Sequence, residues 1–216
     1  MLLRLILPSL IAIAMLGCMT TNDERWRGYN DDGVHLFAAG EYGKALECFD
    51  LALTLHPHDS VILYNMGQCY ERQGDLPRAE QYYASCVERD AKHADARLAL
   101  ITIQYRTGRT GAANIVIEDW LKQQPTTADA LVADAWRLRQ QRAIPAAQAR
   151  LHQALSLDRN NRRALTELAI LYELQGLPDR SLALYEQILE REPNQIDIAD
   201  RVAQLRARGV KLPTPK

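Results

Sequence analysis

The sequence predicts an all-α fold, an α-solenoid of five 34-residue helix-turn-helix units closed by a C-terminal capping helix. Three observations predict it. Gly40, Gly74 and Gly108 stand 34 residues apart, and the same step continues to Arg142 and Gly176. A small residue follows each of these five positions at a fixed offset: Ala45, Ala79, Ala113, Ala147 and Ser181. Pro57, Pro125 and Pro193 fall at the ends of alternate units in the same register. The units are 26–59, 60–93, 94–127, 128–161 and 162–195, with no insertion between them.

Ahead of the array, Arg4 and the apolar run from Leu5 to Leu16 read as a signal peptide over 1–17. The run is too short to cross a bilayer as a helix. It closes on Met15-Leu16-Gly17-Cys18, which resembles the lipobox of bacterial lipoproteins. Gly17 is the small residue the peptidase needs, and Met15 departs from the usual Leu. The resemblance implies diacylglycerol on the Cys18 thiol, with 18–25 as a short tether from the membrane. Met19 stands where Asp marks inner-membrane retention, so the resemblance favours the outer membrane, facing the periplasm of a bacterial envelope.

Each unit reads as a first helix, a turn and a second helix. The turn requires a residue that tolerates positive φ, which glycine provides. Pro77, Pro145 and Pro178 follow at the start of a second helix, where a missing N–H is harmless. Small residues such as Ala45, Ala79 and Ala113 let paired helices approach, and Phe49, Tyr83 and Leu151 fill the space between units. The first unit carries Asp32 in a position that prefers Leu, which predicts a frayed or repacked first helix. Ile101 in the third unit, and Arg142 and Arg159 in the fourth, replace the expected small residue, Gly and Pro. A local irregularity is expected there. Over 196–209, Ile198, Val202 and Leu205 share one face of an amphipathic helix that ends at Gly209, with 210–216 as a tail.

The period and its marks resemble the tetratricopeptide repeat (TPR). Leu63, Met66, Gly67 and Tyr70, and again Leu165, Leu168, Ala169 and Tyr172, follow the family's W-x2-L-G-x2-Y stretch. Ala45 with Phe49, Ala79 with Tyr83 and Ala147 with Leu151 follow its A-x3-F mark. The resemblance implies a right-handed solenoid that binds a protein or peptide on a concave surface lined by the first helices. Carried over by position, that surface holds Asn30, Val34 and Phe37, then Tyr64, Asn65, Gln68 and Arg72. It continues with Leu98, Thr102, Tyr105 and Arg106, then Val132, Trp136 and Arg139, then Thr166, Ile170 and Glu173. Tyr64, Tyr105 and Trp136 are side chains of the kind that anchor interfaces. Arg72, Arg106 and Arg139 are read as one ridge that pairs with carboxylates of a bound peptide. The two-carboxylate clamp of chaperone-binding TPR domains is not reproduced: of Asn30, Val34, Asn65, Asp95 and Ala99 at its positions, only Asn65 agrees.

The remaining chemistry is sparse. A net charge of −1 gives no reason to expect nucleic acid, and Arg159, Arg162 and Arg163 are too few to reverse that. Cys48, Cys69 and Cys86 remain beyond Cys18, an odd number whose spacing fits no common metal motif. They read as buried thiols, with one disulfide left open. The pair His56 and His58 lacks a third ligand in register, so no metal or other cofactor is expected, and no phosphate loop or nucleophile motif occurs. The expected function is a non-catalytic scaffold anchored by lipid. The alternatives are a self-associating homodimer and a metal or redox role through His56, His58 and the cysteines.

Overall fold

The structure, a computed structural model, describes residues 24–212. The leader, Cys18 and most of the tether lie outside the described residues. Among those described, every regular element is helical. The described residues form two compact units, divided between Arg109 and Thr110.

In the first unit, helix α1 covers 24–38 and is followed by α2 (Tyr42–Leu55), α3 (Ser60–Arg72), α4 (Leu76–Arg89) and α5 (Ala94–Arg106). The second holds α6 (Thr110–Gln123), α7 (Ala128–Gln140), α8 (Ile144–Leu157), α9 (Arg162–Leu174), α10 (Pro178–Arg191) and α11 (Ile196–Ala207). From α2 onward, starts of alternate helices recur every 34 residues, through 42, 76, 110, 144 and 178, and through 60, 94, 128, 162 and 196. This is the all-α, tandem-hairpin construction of an α-solenoid.

Local chemistry explains the boundaries. The Asp59 carboxylate accepts from the Val61 and Ile62 amides and caps α3, and Asp75 accepts from the Arg78 amide at the start of α4. The imidazole of His93 caps α5 by accepting from Ala96 N, and Asn161 caps α9 from Ala164 N. Pro77, Pro145 and Pro178 occupy the first turns of α4, α8 and α10. At the end of α3, Gly74 N donates to Glu71 O (3.0 Å) and Asp75 N donates to Tyr70 O (2.9 Å), the paired bonds of a Schellman turn. Gly74 takes φ 81° to make them.

At two positions that the residue pattern marks as irregular, the local geometry is regular. Arg142 N donates to Arg139 O and Ala143 N to Leu138 O, both at 2.9 Å, the same turn made at φ 60° by an arginine. Two main-chain hydrogen bonds hold a left-handed conformation that costs an L-residue about 1–2 kcal/mol. Helix α1 runs unbroken through Asp32, whose side chain is exposed and therefore carries no desolvation cost.

The cores follow from the small-residue positions. In the first unit Ala45, Phe49 and Ala52 of α2 pack with Ile62, Met66 and Cys69 of α3. A Cβ on Gly67 would lie 2.6 Å from the Tyr83 ring, and one on Gly33 would lie 2.6 Å from the Phe49 ring. In these two hairpins an aromatic residue on the second helix lies against glycine on the first, whereas in the fifth repeat the buried Tyr185 shares its cluster with Ala169 at the glycine's register position. In the second unit Leu131, Ala135, Leu151, Ala154, Leu168 and Leu171 form one cluster. Leu165, Leu182, Tyr185, Ile188, Ile198, Val202 and Leu205 form the next, so that α11 closes the stack with its apolar face.

Candidate functional site

The first helices are tied side to side by their own side chains. In the first unit, Asn65 Nδ2 of α3 donates to Asn30 Oδ1 of α1 (3.3 Å), and Gln68 Nε2 donates to the Tyr64 hydroxyl (3.1 Å). Tyr64 is half-buried between the rings of His93 (4.8 Å) and Tyr83 (5.6 Å), so much of its surface is taken up in packing. Asn65, Gln68, Leu98 and Tyr105 are likewise half-buried, whereas Arg72, Thr102 and Arg106 are exposed.

The three arginines do not share one register position. Stepping by 34 from Arg72 reaches Arg106, then Gln140 and Leu174; Arg139 lies one residue off, in register with Glu71 and Glu173. Their charges are differently placed as well. Arg106 Nη1 pairs with Glu71 Oε1 (2.6 Å), and Arg139 Nε pairs with Glu167 Oε2 (3.0 Å). Burial holds the Glu167 carboxyl above the usual carboxylate range against the opposing pull of Arg139. Arg72 instead lies over the Phe37 ring, 5.6 Å from its centroid. Arg106 and Arg139 therefore each face a carboxylate of a neighbouring first helix, with which a ligand carboxylate would compete.

Val132 also leaves the proposed surface. It is 4% exposed and belongs to the α7–α8–α9 core, because its position on α7 turns inward beside Leu131 and Ala135. Trp136, Thr166, Ile170 and Glu173 of the second unit are half-buried. Of the basic cluster, Arg162 pairs with Glu192 (3.3 Å) and Arg163 with Asp129 (3.1 Å).

Sequence reasoning missed the role of two glutamates. The buried Tyr83 hydroxyl donates to Glu71 Oε2 (2.9 Å), and the buried Tyr185 hydroxyl donates to Glu173 Oε1 (2.9 Å). Three 34-residue steps separate the two pairs, and a Tyr twelve residues after a Glu was the available signal. Burial, with the glutamate beside each, pushes both phenols well above their ordinary range.

The thiols and histidines are structural in their surroundings. Cys48, Cys69 and Cys86 are free. Burial raises Cys69 to about 11 and Cys86 to about 12, and that of the half-buried Cys48 is raised by burial and then by Asp32 and Glu47. Thiols so shifted are poor nucleophiles at neutral pH. His56 pairs with Asp59 (3.0 Å) and stacks on Trp26 with ring centroids 4.7 Å apart. Among the described residues no group of three or more His, Cys, Asp or Glu side chains is placed to hold a metal ion.

Comparison with known proteins gives the same construction. Models of the tetratricopeptide repeat match residues 29–92, 72–135 and 138–208. The chain is 45% identical over 51 residues to the outer dynein arm-docking complex subunit 4 of Danio rerio, covering 24% of this chain and 10% of that protein. It is 35% identical over 83 residues to the Photosystem I assembly protein Ycf3 of Rippkaea orientalis, covering 37% and 48%. The chain thus spans at most about half the length of these two relatives. A crystal structure of a thermophilic TPR protein of Thermus thermophilus superposes with a TM-score of 0.68 at 26% identity, covering 84% of this chain and 99% of that one. Proteins of this family bind protein or peptide partners, and this chain belongs to the tetratricopeptide repeat family.

Proposed function

We propose that the chain is a non-catalytic interaction scaffold that binds a protein or peptide along its first helices while a lipid on Cys18 tethers it to a bacterial envelope membrane. One observation carries the binding surface. In the first unit, a row of amides and aromatic rings lies along α1 and α3, with the Asn30–Asn65 bond (3.3 Å) crossing between the two helices. Asn65 uses one amide N–H in that bond and retains a second donor and an acceptor, which suits an extended main chain that brings both. An assembly role draws support from the relative named as an assembly protein. The anchor rests on Met15-Leu16-Gly17-Cys18 alone.

Site-specific crosslinking in cells tests the surface. A photoreactive residue replacing Gln68 captures a partner, whereas the same residue at Leu51, an exposed position on the second helix α2, does not. Equal capture at both places, or none at Gln68, contradicts the reading. Incorporation of labelled palmitate that disappears in Cys18→Ser tests the anchor independently.

A further inference from the structure

Resting on the binding surface proposed above, we propose that Arg72 is its specificity anchor and receives the carboxylate of an Asp or Glu side chain within an extended peptide. The basis is an imbalance among the arginines of the first unit. Arg106, at the same position one repeat later, is paired with Glu71, and Glu71 is held in addition by the Tyr83 hydroxyl. Arg78 is paired with Asp75, and Arg109 with Glu80. Arg72 pairs with no carboxylate among the described residues; its contact is the ring of Phe37.

That ring is itself supported. Phe37 packs against Tyr42 at the start of α2, with ring centroids 5.4 Å apart and planes inclined by 57°. A guanidinium stacked on an aromatic face has its conformational freedom reduced while its N–H edge stays open to a carboxylate, which it meets in a bidentate fork. Four and seven residues before Arg72 on α3 stand the neutral Gln68 and Asn65, and Val34 on α1 is 42% exposed.

The surrounding charge sets the class of ligand. Residues 24–109 carry ten Lys and Arg against thirteen Asp and Glu, a balance that repels nucleic acid and polyacidic tracts. A single acidic side chain flanked by neutral or apolar residues meets Arg72 without that repulsion. The side chain is favoured over a terminal carboxylate because one arginine faces it, not a clamp of several cations.

The test uses the full chain in mild detergent and a phage library of random peptides, followed by fluorescence polarisation with selected sequences made as C-terminal amides. The selected peptides are expected to share one Asp or Glu. Changing that Glu to Gln in the peptide, or Arg72→Gln in the protein, weakens binding about two- to fivefold, and both together weaken it no further than either alone. Arg89→Gln, at the exposed end of the second helix α4, leaves the affinity unchanged, and Phe37→Leu, which removes the ring and keeps the charge, weakens it partially. Melting curves of each variant establish that it is folded. Binding lost in Asn65→Ala but intact in Arg72→Gln overturns the anchor and leaves the surface standing. Additive effects of the peptide and protein changes, or binding that requires a free C-terminus, also overturn the anchor. Binding indifferent to both Asn65→Ala and Arg72→Gln, or the absence of any selected peptide, removes the anchor and the surface together.

Discussion

Replacing Glu71 with alanine is expected to destabilise the protein more than removing either of its partners. The Glu71 carboxylate serves two groups of different burial. Tyr83 is 1% exposed, and its hydroxyl donates to Oε2 at 2.9 Å; Arg106 is half-exposed and meets Oε1 at 2.6 Å. In Glu71→Ala the phenol hydroxyl stays buried without an acceptor, which costs about 1–3 kcal/mol. Loss of the solvent-screened pair with Arg106 adds about 0.2–1 kcal/mol. Tyr83→Phe removes the donor together with its need for a partner and costs about 1 kcal/mol. In a Tyr83→Phe background, Glu71→Ala should therefore cost only the ion-pair share, leaving a coupling between the two sites of about 1–3 kcal/mol. Urea denaturation of the four proteins, followed by circular dichroism at neutral pH, measures that coupling. A cost for Glu71→Ala that is the same in both backgrounds would refute the reasoning, because the hydroxyl would then have found water. Glu173 and Tyr185 in the second unit repeat the test, with Ser181 Oγ as a second donor at 3.4 Å.

Three further outcomes are expected. Arg142→Gly should stabilise by about 0.5–1 kcal/mol, because the relief of a left-handed arginine outweighs the extra freedom of glycine in the unfolded chain; a lower urea midpoint would contradict it. Gly67→Ala gains about 1 kcal/mol of helix propensity, but its Cβ meets the buried Tyr83 ring at 2.6 Å, and a net loss of about 1–2 kcal/mol is expected in the same assay. In the alkaline range, unfolded Cys69 and Cys86 ionise near 9 while the folded thiols stay neutral up to about 11 and about 12. Their contribution is therefore complete below about pH 9 and is lost as pH rises through that window, at up to about 1.4 kcal/mol per pH unit for each thiol. Urea titrations between pH 8 and pH 11 (about one unit below to two above the thiol value) should show a slope that flattens when both cysteines become alanine. An unchanged slope would assign the effect to other groups.

The division between what the sequence disclosed and what it concealed follows from the range of the interactions. Turns, caps and core positions are set within one hairpin, so the glycine turn at Gly74 is written locally and recurs at Gly40, Gly108 and Gly176, while Pro77 and the Gly67–Tyr83 pairing have counterparts in only one other unit each, Pro145 and Gly33–Phe49. The tolerance of Arg142 was hidden because a turn fixed by two main-chain hydrogen bonds accepts a strained residue that a residue-type pattern marks as a break. Surface chemistry is set between neighbouring repeats, where the register gives a residue's place but not the state of its charge. Arg72 and Arg106 are identical by register; only the residue reached on the preceding first helix, Phe37 for one and Glu71 for the other, separates a cation open to a ligand from one already neutralised. That difference was present in the sequence, 35 residues upstream of each arginine, as a phenylalanine and a glutamate at equivalent positions. In this array, then, the charge pairing of a first-helix arginine is read from one unit's last turn together with its predecessor's, and single positions do not disclose it.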